Sequence, residues 1–130
     1  RVLVDAPCSG LGTLRRNPDL KWRQSPESVQ ELVAKQTAIL QSAARLLKPG
    51  GRLVYATCSV LPQENEGVAQ AFTAANGDFT PLDVAELLAS LKVEHATSLC
   101  SGPVRGTEYL RLWPHRHGTD GFFAAAWVKK

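Results

Sequence analysis

Residues 47–66 read LKPGGRLVYATCSVLPQENE, and the fold turns on how this stretch is divided. Pro49 cannot continue a helical ladder, and a glycine accepts the left-handed conformation that ends one, so LKPGG marks a helix stop. RLVYAT, 52–57, is a short, mostly apolar run of the kind found in buried parallel strands. Cys58 comes where that run ends. A cysteine that serves only as a small hydrophobe lies inside an apolar run. This one is placed after it, a few residues before a second predicted helix. That helix starts after Pro62, with Glu64 and Glu66 in its first turn and Val68, Ala69 and Phe72 on one face, and it ends near Asn76 and Gly77.

Upstream, the helix that LKPGG stops begins with Ser25 as N-cap, Pro26 at the first helical position and Glu27 beside the positive end of the helix dipole. Val29, Leu32, Val33, Gln36, Leu40, Ala43 and Leu47 recur at helical spacing, leaving Glu31, Lys35, Gln41 and Arg45 mostly on other faces. Before it, RVLVDA (1–6) is a second strand-like run, closed by Pro7 and Gly10. Strand, long helix and strand with short connections predict a right-handed crossover and a parallel sheet. Downstream, DVAELLASL (83–91) suits a short helix and 94–107 a loop. EYLRLWP (108–114) and GFFAAAWVKK (121–130) read as an antiparallel hairpin. The fold class is α/β: two parallel strands joined by a helix, plus a C-terminal antiparallel hairpin.

In an open parallel sheet, ligands bind outside the carboxyl ends of the strands. Asp5, Pro7 and Cys8 follow the first strand and Cys58 follows the second. If the strands are neighbours, a carboxylate and two thiols converge at one rim. Each of these residues alone suits packing or turn capping, but together at equivalent strand ends they point to a site. Arg15, Arg16, Lys21 and Arg23 cluster around Trp22, a pattern that fits phosphate contacts beside a flat side chain and equally a solvated loop anchored by a core tryptophan.

The 130 residues, 44% of them hydrophobic, suffice for one core and argue against a disordered tail. A net charge of +3 permits a nucleic-acid partner without demanding one. No apolar run reaches membrane-spanning length and the N-terminus lacks the order of a signal peptide, so a cytoplasmic protein is expected. Three widely spaced cysteines argue against both zinc and a disulfide framework. His95, His115 and His117 read as surface or loop residues without metal. Trp113, Phe122, Phe123 and Trp127 read as sheet packing.

DAPCSGLGTLRRNPDLKW (5–22), LKPGGRLVYATCSVLPQENE (47–66) and DGFF (120–123) together resemble the RNA cytosine-5 methyltransferases of the NOP/Sun type, and within these the bacterial Fmu/Sun family that methylates small-subunit ribosomal RNA. The likeness is strong from Arg1 to about Phe72 and returns at Gly118–Val128. It implies a Rossmann-like sheet, S-adenosyl-L-methionine as cofactor and ribosomal RNA as partner. It also implies Cys58 as nucleophile and Cys8 as the second cysteine, which assists removal of the carbon 5 proton and release of the product. Asp5 would lie between the cytosine ring and the reactive methyl, with Pro7 fixing the backbone beside the base and, with Asp5, the cofactor. The resemblance turns Arg15, Arg16, Lys21 and Arg23 towards RNA.

A whole enzyme of this kind carries an upstream glycine-rich cofactor loop and an N-terminal RNA-binding region. Residues 1–130 are therefore expected to be the C-terminal half of a catalytic domain. RVLVDA would be central in the parent sheet, so an isolated chain would pair that edge with another copy, aggregate or fray. Two further readings stay open: a methyltransferase-like module that binds RNA without chemistry, and a thiol redox protein using Cys8 and Cys58. The latter requires sulfurs within bonding distance and one thiol of low pKa.

Overall fold

The computed structural model describes residues 1–9, 25–59, 61–84, 109–112 and 121–130. Strand β1 (Val2–Asp5) leads to helix α1 (Pro26–Ala44), strand β2 (Arg52–Thr57), helix α2 (Glu66–Ala75) and strands β3 (Phe79–Pro81), β4 (Leu110–Leu112) and β5 (Phe122–Lys129).

The start of α1 follows its sequence signals. Ser25 has extended backbone, its hydroxyl accepts from Ser28 N at 3.2 Å, and its own N–H donates to the Ser28 hydroxyl at 2.9 Å. This is a reciprocal capping box with serine in the place that glutamate or glutamine usually takes. Gln36, Leu40, Ala43 and Ala44 are buried along one stripe. The helix ends at Ala44, earlier than LKPGG suggests. Leu46 and Leu47 N–H groups donate back to Ala43 and Ala44 carbonyls in a tighter turn, and Leu47 is buried although no longer helical. Gly50 then takes φ +83°, and a Cβ at Gly51 would lie 2.7 Å from Leu47 Cδ2 and 2.9 Å from the Lys48 carbonyl oxygen. Both glycines are dictated by the turn that feeds β2.

β1 and β2 pair in parallel, Val2 opposite Leu53 and Asp5 opposite Ala56, as the strand–helix–strand order predicts, although the connection from β1 to α1 is long, 6–25. β5 pairs antiparallel with β2, from Arg52 opposite Val128 to Thr57 opposite Phe123. The expected hairpin exists, since Leu110 of β4 lies opposite Ala124 of β5. It is the lesser part of the arrangement: β5 fills the place beside β2, and its outer edge is shared by β4 and the unforeseen β3, in the order β1-β2-β5-β3. A three-residue strand ending in Pro81 leaves almost no periodic signal, and proline is tolerated there because the strand is at an edge.

Register sets the core. Val4, Tyr55 and Ala125 form one cross-strand row and Val2, Leu53 and Trp127 the next. Leu40, Ala43, Ala44 and Leu47 from the α1 side, with Val68, Ala69 and Phe72 of α2, pack against these rows. Phe72 meets Trp127 edge-on at 4.8 Å and Phe79 at 5.3 Å, while Trp127 Nε1 donates to Thr73 Oγ1 at 2.9 Å. Phe123 and Trp127 thus pack in the sheet as expected, and half-buried Phe122 lies in the same strand. Gln41, expected on an outward face, is half-buried and exchanges two hydrogen bonds with Asn76, the residue that closes α2. Helix α2 begins at Glu66. Glu64 is not in its first turn but in the preceding turn, and is fully buried. The expected helix at 83–91, apart from its first two residues, and the expected loop at 94–107 lie outside the described residues, as do Trp113 and the three histidines.

Candidate active site

Parallel pairing sends the chain out of β1 and β2 at the same rim. Ala6 N–H donates to the Ala56 carbonyl at 2.9 Å, which carries the ladder one residue past β1 and delivers both loops side by side. Cys8 and Cys58 then face each other with Sγ atoms 3.2 Å apart, hydrogen-bonded and not joined in a disulfide. The next residues repeat the pairing, the hydroxyls of Ser9 and Ser59 lying 3.3 Å apart. Cys8 and Cys58 are half-buried, while Asp5 and Pro7 are exposed at the end of β1. The carboxylate and two thiols that the sequence placed at strand ends are brought to one rim.

The sequence did not disclose what lies beneath them. Glu64 Oε1 accepts from Ser9 N at 2.7 Å and from Gln36 Nε2 at 3.2 Å. Its Oε2 accepts from the hydroxyl of Ser9 at 2.7 Å and from the hydroxyl of Ser59. Gln36 Nε2 also donates to the Pro7 carbonyl at 2.8 Å. On the other loop, Thr57 donates to Asn65 Oδ1 at 2.5 Å, and Asn65 Nδ2 donates to the Ser59 carbonyl at 2.9 Å. Tyr55 OH donates to the Glu64 carbonyl at 2.6 Å. Gln36, Thr57, Ser59, Glu64, Asn65 and Ser9 are all buried polar residues, and this network supplies the partners that burial demands, with the exception of Gln36 Oε1, which is buried without one. The one sequence signal for Glu64 is that it lies on a short connection from a strand end to a helix, a path that passes under the rim.

The surroundings of Cys58 favour its thiolate. Its pKa is pushed down from 9.0 to about 7, chiefly by the hydrogen bond with Cys8. Burial opposes this, a backbone hydrogen bond helps it, and the carboxylates of Asp5 and Glu64 oppose it. Helix α2 begins eight residues after Cys58, beyond the Glu64 turn, so the neighbouring thiol and not that helix start lowers the pKa. Tyr55 is held protonated far above its usual range by burial, then by the charge of Glu64, then by Cys8. Among the described residues no cluster of metal-ligating side chains occurs. No described helix is long and apolar enough to cross a membrane. Arg15, Arg16, Lys21, Trp22 and Arg23 lie outside the described residues.

Solved structures share this fold. The crystal structure of PH0851 superposes with a TM-score of 0.82 at 38% identity, covering 98% of this chain and 26% of that one. NSun6 from Pyrococcus horikoshii, solved with the S-adenosylmethionine analogue SFG, superposes with a TM-score of 0.72 at 28% identity, over 98% of this chain and 29% of that one. The fold is that of the Rossmann-like, S-adenosylmethionine-dependent methyltransferases. Within that class the chain belongs to the 16S rRNA methyltransferase RsmB/F family, whose model matches residues 1–128, including the stretch between Phe72 and Gly118 that carries no distinctive sequence pattern. A relative named probable ribosomal RNA small subunit methyltransferase B, from Synechocystis sp., is 43% identical over 126 residues, 96% of this chain and 26% of the relative. The chain spans about a quarter of the length of the curated relatives it matches.

Proposed function

We propose that the chain carries the nucleophile and the base-facing wall of an enzyme that methylates carbon 5 of a cytosine in 16S ribosomal RNA, as the C-terminal half of its catalytic domain. The observation that carries this reading is the thiol pair at adjacent strand ends, 3.2 Å apart, with Cys58 lowered to about 7. Carbon 5 of cytosine is a poor nucleophile, so a thiolate must first add to carbon 6. Covalent catalysis divides one difficult step into easier ones. Cys58 Sγ forms a bond to carbon 6, and the electrons of the 5,6 double bond become available at carbon 5. Bound S-adenosylmethionine supplies the methyl group. Loss of the carbon 5 proton, assisted by Cys8, restores the double bond as the Cys58 sulfur departs.

Asp5 and Pro7, exposed at the rim, fit one edge of the cofactor and base site: a carboxyl group there can hydrogen-bond the ring nitrogen side of cytosine. The described residues hold no glycine-rich cofactor loop after a strand, so the remaining edges belong to other parts of the enzyme. Arg15, Arg16, Lys21 and Arg23 would contact RNA phosphates. A redox role is less well supported: the close sulfurs and the lowered Cys58 thiol suit it as well, but the family to which the chain belongs is one of methyltransferases.

The test is trapping with RNA containing 5-fluorocytosine in the full-length enzyme. Wild type forms a denaturation-resistant RNA adduct. Cys58→Ser forms none and transfers no methyl group, whereas Cys8→Ser accumulates an adduct even on unmodified RNA. An adduct on the Cys58→Ser protein reverses the two roles.

A further inference from the structure

Glu64 is fully buried, bears a carboxylate and has no part in the chemistry assigned to Asp5, Cys8 and Cys58. Burying such a group is costly unless donors surround it. Here the donors come from both cysteine loops. We propose that Glu64 is a positioning residue that fixes the separation of the two cysteine sulfurs by tying the chain beside each thiol to one carboxylate. The proposal rests on the reading of Cys58 and Cys8 as a working pair.

The hydrogen bonds bracket both thiols. Ahead of Cys8, the Pro7 carbonyl is held by Gln36 Nε2, which also donates to Glu64; behind it, the Ser9 N–H and hydroxyl both donate to Glu64. Ahead of Cys58, Thr57 donates to Asn65; behind it, the Ser59 hydroxyl donates to Glu64 and its carbonyl accepts from Asn65. Tyr55, in the middle of β2, holds the Glu64 carbonyl at 2.6 Å. One loop cannot slide past the other without breaking hydrogen bonds to a charged group, which are about twice as strong as neutral ones. A carboxylate suits the task because its two oxygens offer about four acceptor sites to these donors. Glutamine keeps the shape and one acceptor oxygen, and serine hydroxyls can rotate to accept from its amide. Alanine removes the acceptor that the donors of both loops share.

The experiment compares Glu64→Ala, Glu64→Gln and Cys58→Ser with wild type in the full-length enzyme, in a Cys100→Ser background. Misplacing a reacting group by about 1 Å costs on the order of 100-fold in rate, so Glu64→Ala is expected to lower kcat about 30- to 100-fold, per adduct-competent site, with KM for S-adenosylmethionine within about threefold of wild type. Glu64→Gln is expected to restore kcat to within about tenfold of wild type. Thiol spacing is read separately with phenylarsine oxide, whose arsenic bonds to both sulfurs with release of water. Wild type should bind it tightly and Glu64→Ala at least about tenfold more weakly.

If Glu64→Ala does not fold, the double variant Ser9→Ala with Ser59→Ala removes both hydroxyl donors and is expected to show the same two losses in smaller degree. The proposal is overturned if kcat per competent site and arsenic affinity both stay within about twofold of wild type while only the unfolding temperature falls, because Glu64 is then merely structural. Should Cys58→Ser retain methyl transfer, the nucleophile assignment fails, and the arsenic measurement still decides whether Glu64 sets the sulfur separation.

Discussion

At Cys58 the deciding quantity is the balance between hydrogen bonds that favour the thiolate and the burial and two carboxylates that oppose it. The Cys8 contact lowers its pKa to about 7, while burial, Asp5 and Glu64 push the other way. A thiol at the ordinary value of 9.0 would be only about one per cent thiolate at neutral pH, whereas this one is about half ionised. Iodoacetamide alkylation of Cys58, followed by peptide mass spectrometry from pH 5 to 10, should therefore show a midpoint near 7. Cys8→Ala removes the largest lowering cause and should move that midpoint up. Asp5→Asn removes a raising one and should move it down. A wild-type midpoint near 9 would remove the activated thiol from the site. The sign carries to stability: the fold favours the thiolate, so the contribution of Cys58 is complete above its unfolded pKa of about 9 and is lost as pH falls through about 7.

At the scale of elements, α1 and the turn after it hold β2 in place. The Ser25–Ser28 capping box satisfies N–H groups that an uncapped helix start leaves to water. Ser25→Ala should cost about 1 kcal/mol in urea or thermal unfolding without changing the alkylation midpoint of Cys58. The glycine turn is less forgiving. A methyl group at Gly51 would meet backbone at 2.9 Å as well as the Leu47 side chain, so Gly51→Ala forces a shift of the segment that feeds β2. It should cost more than the cap variant, and it should also disturb Cys58, at the far end of the same strand. Equal destabilisation by the two variants would show that the turn yields where the geometry says it cannot.

For the whole molecule, the sheet is asymmetric. β2 and β5 are each paired on both sides, while β1 pairs with β2 alone among the described residues. Leu3 stands 68% exposed beside that edge, and Ile39 and Leu46 add exposed apolar surface on the α1 side. An exposed edge with apolar neighbours invites pairing with another chain. We propose that the 130-residue chain on its own associates through β1, aggregates, or frays there. Light scattering over a concentration series, with amide exchange at Val2, Leu3 and Val4, reads this directly. A monodisperse monomer with slow exchange at all three residues would refute it, together with a central place for β1 in the parent sheet.

The sequence alone determined what depends on local chemistry. Ser25 and Pro26 started α1, the glycines after Pro49 prepared β2, and alternation of short apolar runs with a long amphipathic helix required parallel strands whose ends share a rim. Asp5, Cys8 and Cys58 were legible because each follows such a run, so their meeting needed only that the strands be neighbours. Tertiary structure alone decided the rest. β5 lies between β2 and the β3–β4 edge, although no local pattern distinguishes it from half of a simple hairpin, because strand order is chosen by long-range packing of Trp127, Ala125 and Phe123 against Leu53, Tyr55 and Phe72. Glu64 reads from sequence as a first-turn residue of α2, since acidic residues favour that place. Its burial became visible only when two loops, fifty residues apart in sequence, brought their donors to one point. Hydrophobic periodicity is written in neighbouring residues, whereas the partner of a buried charge is fixed only where distant segments meet.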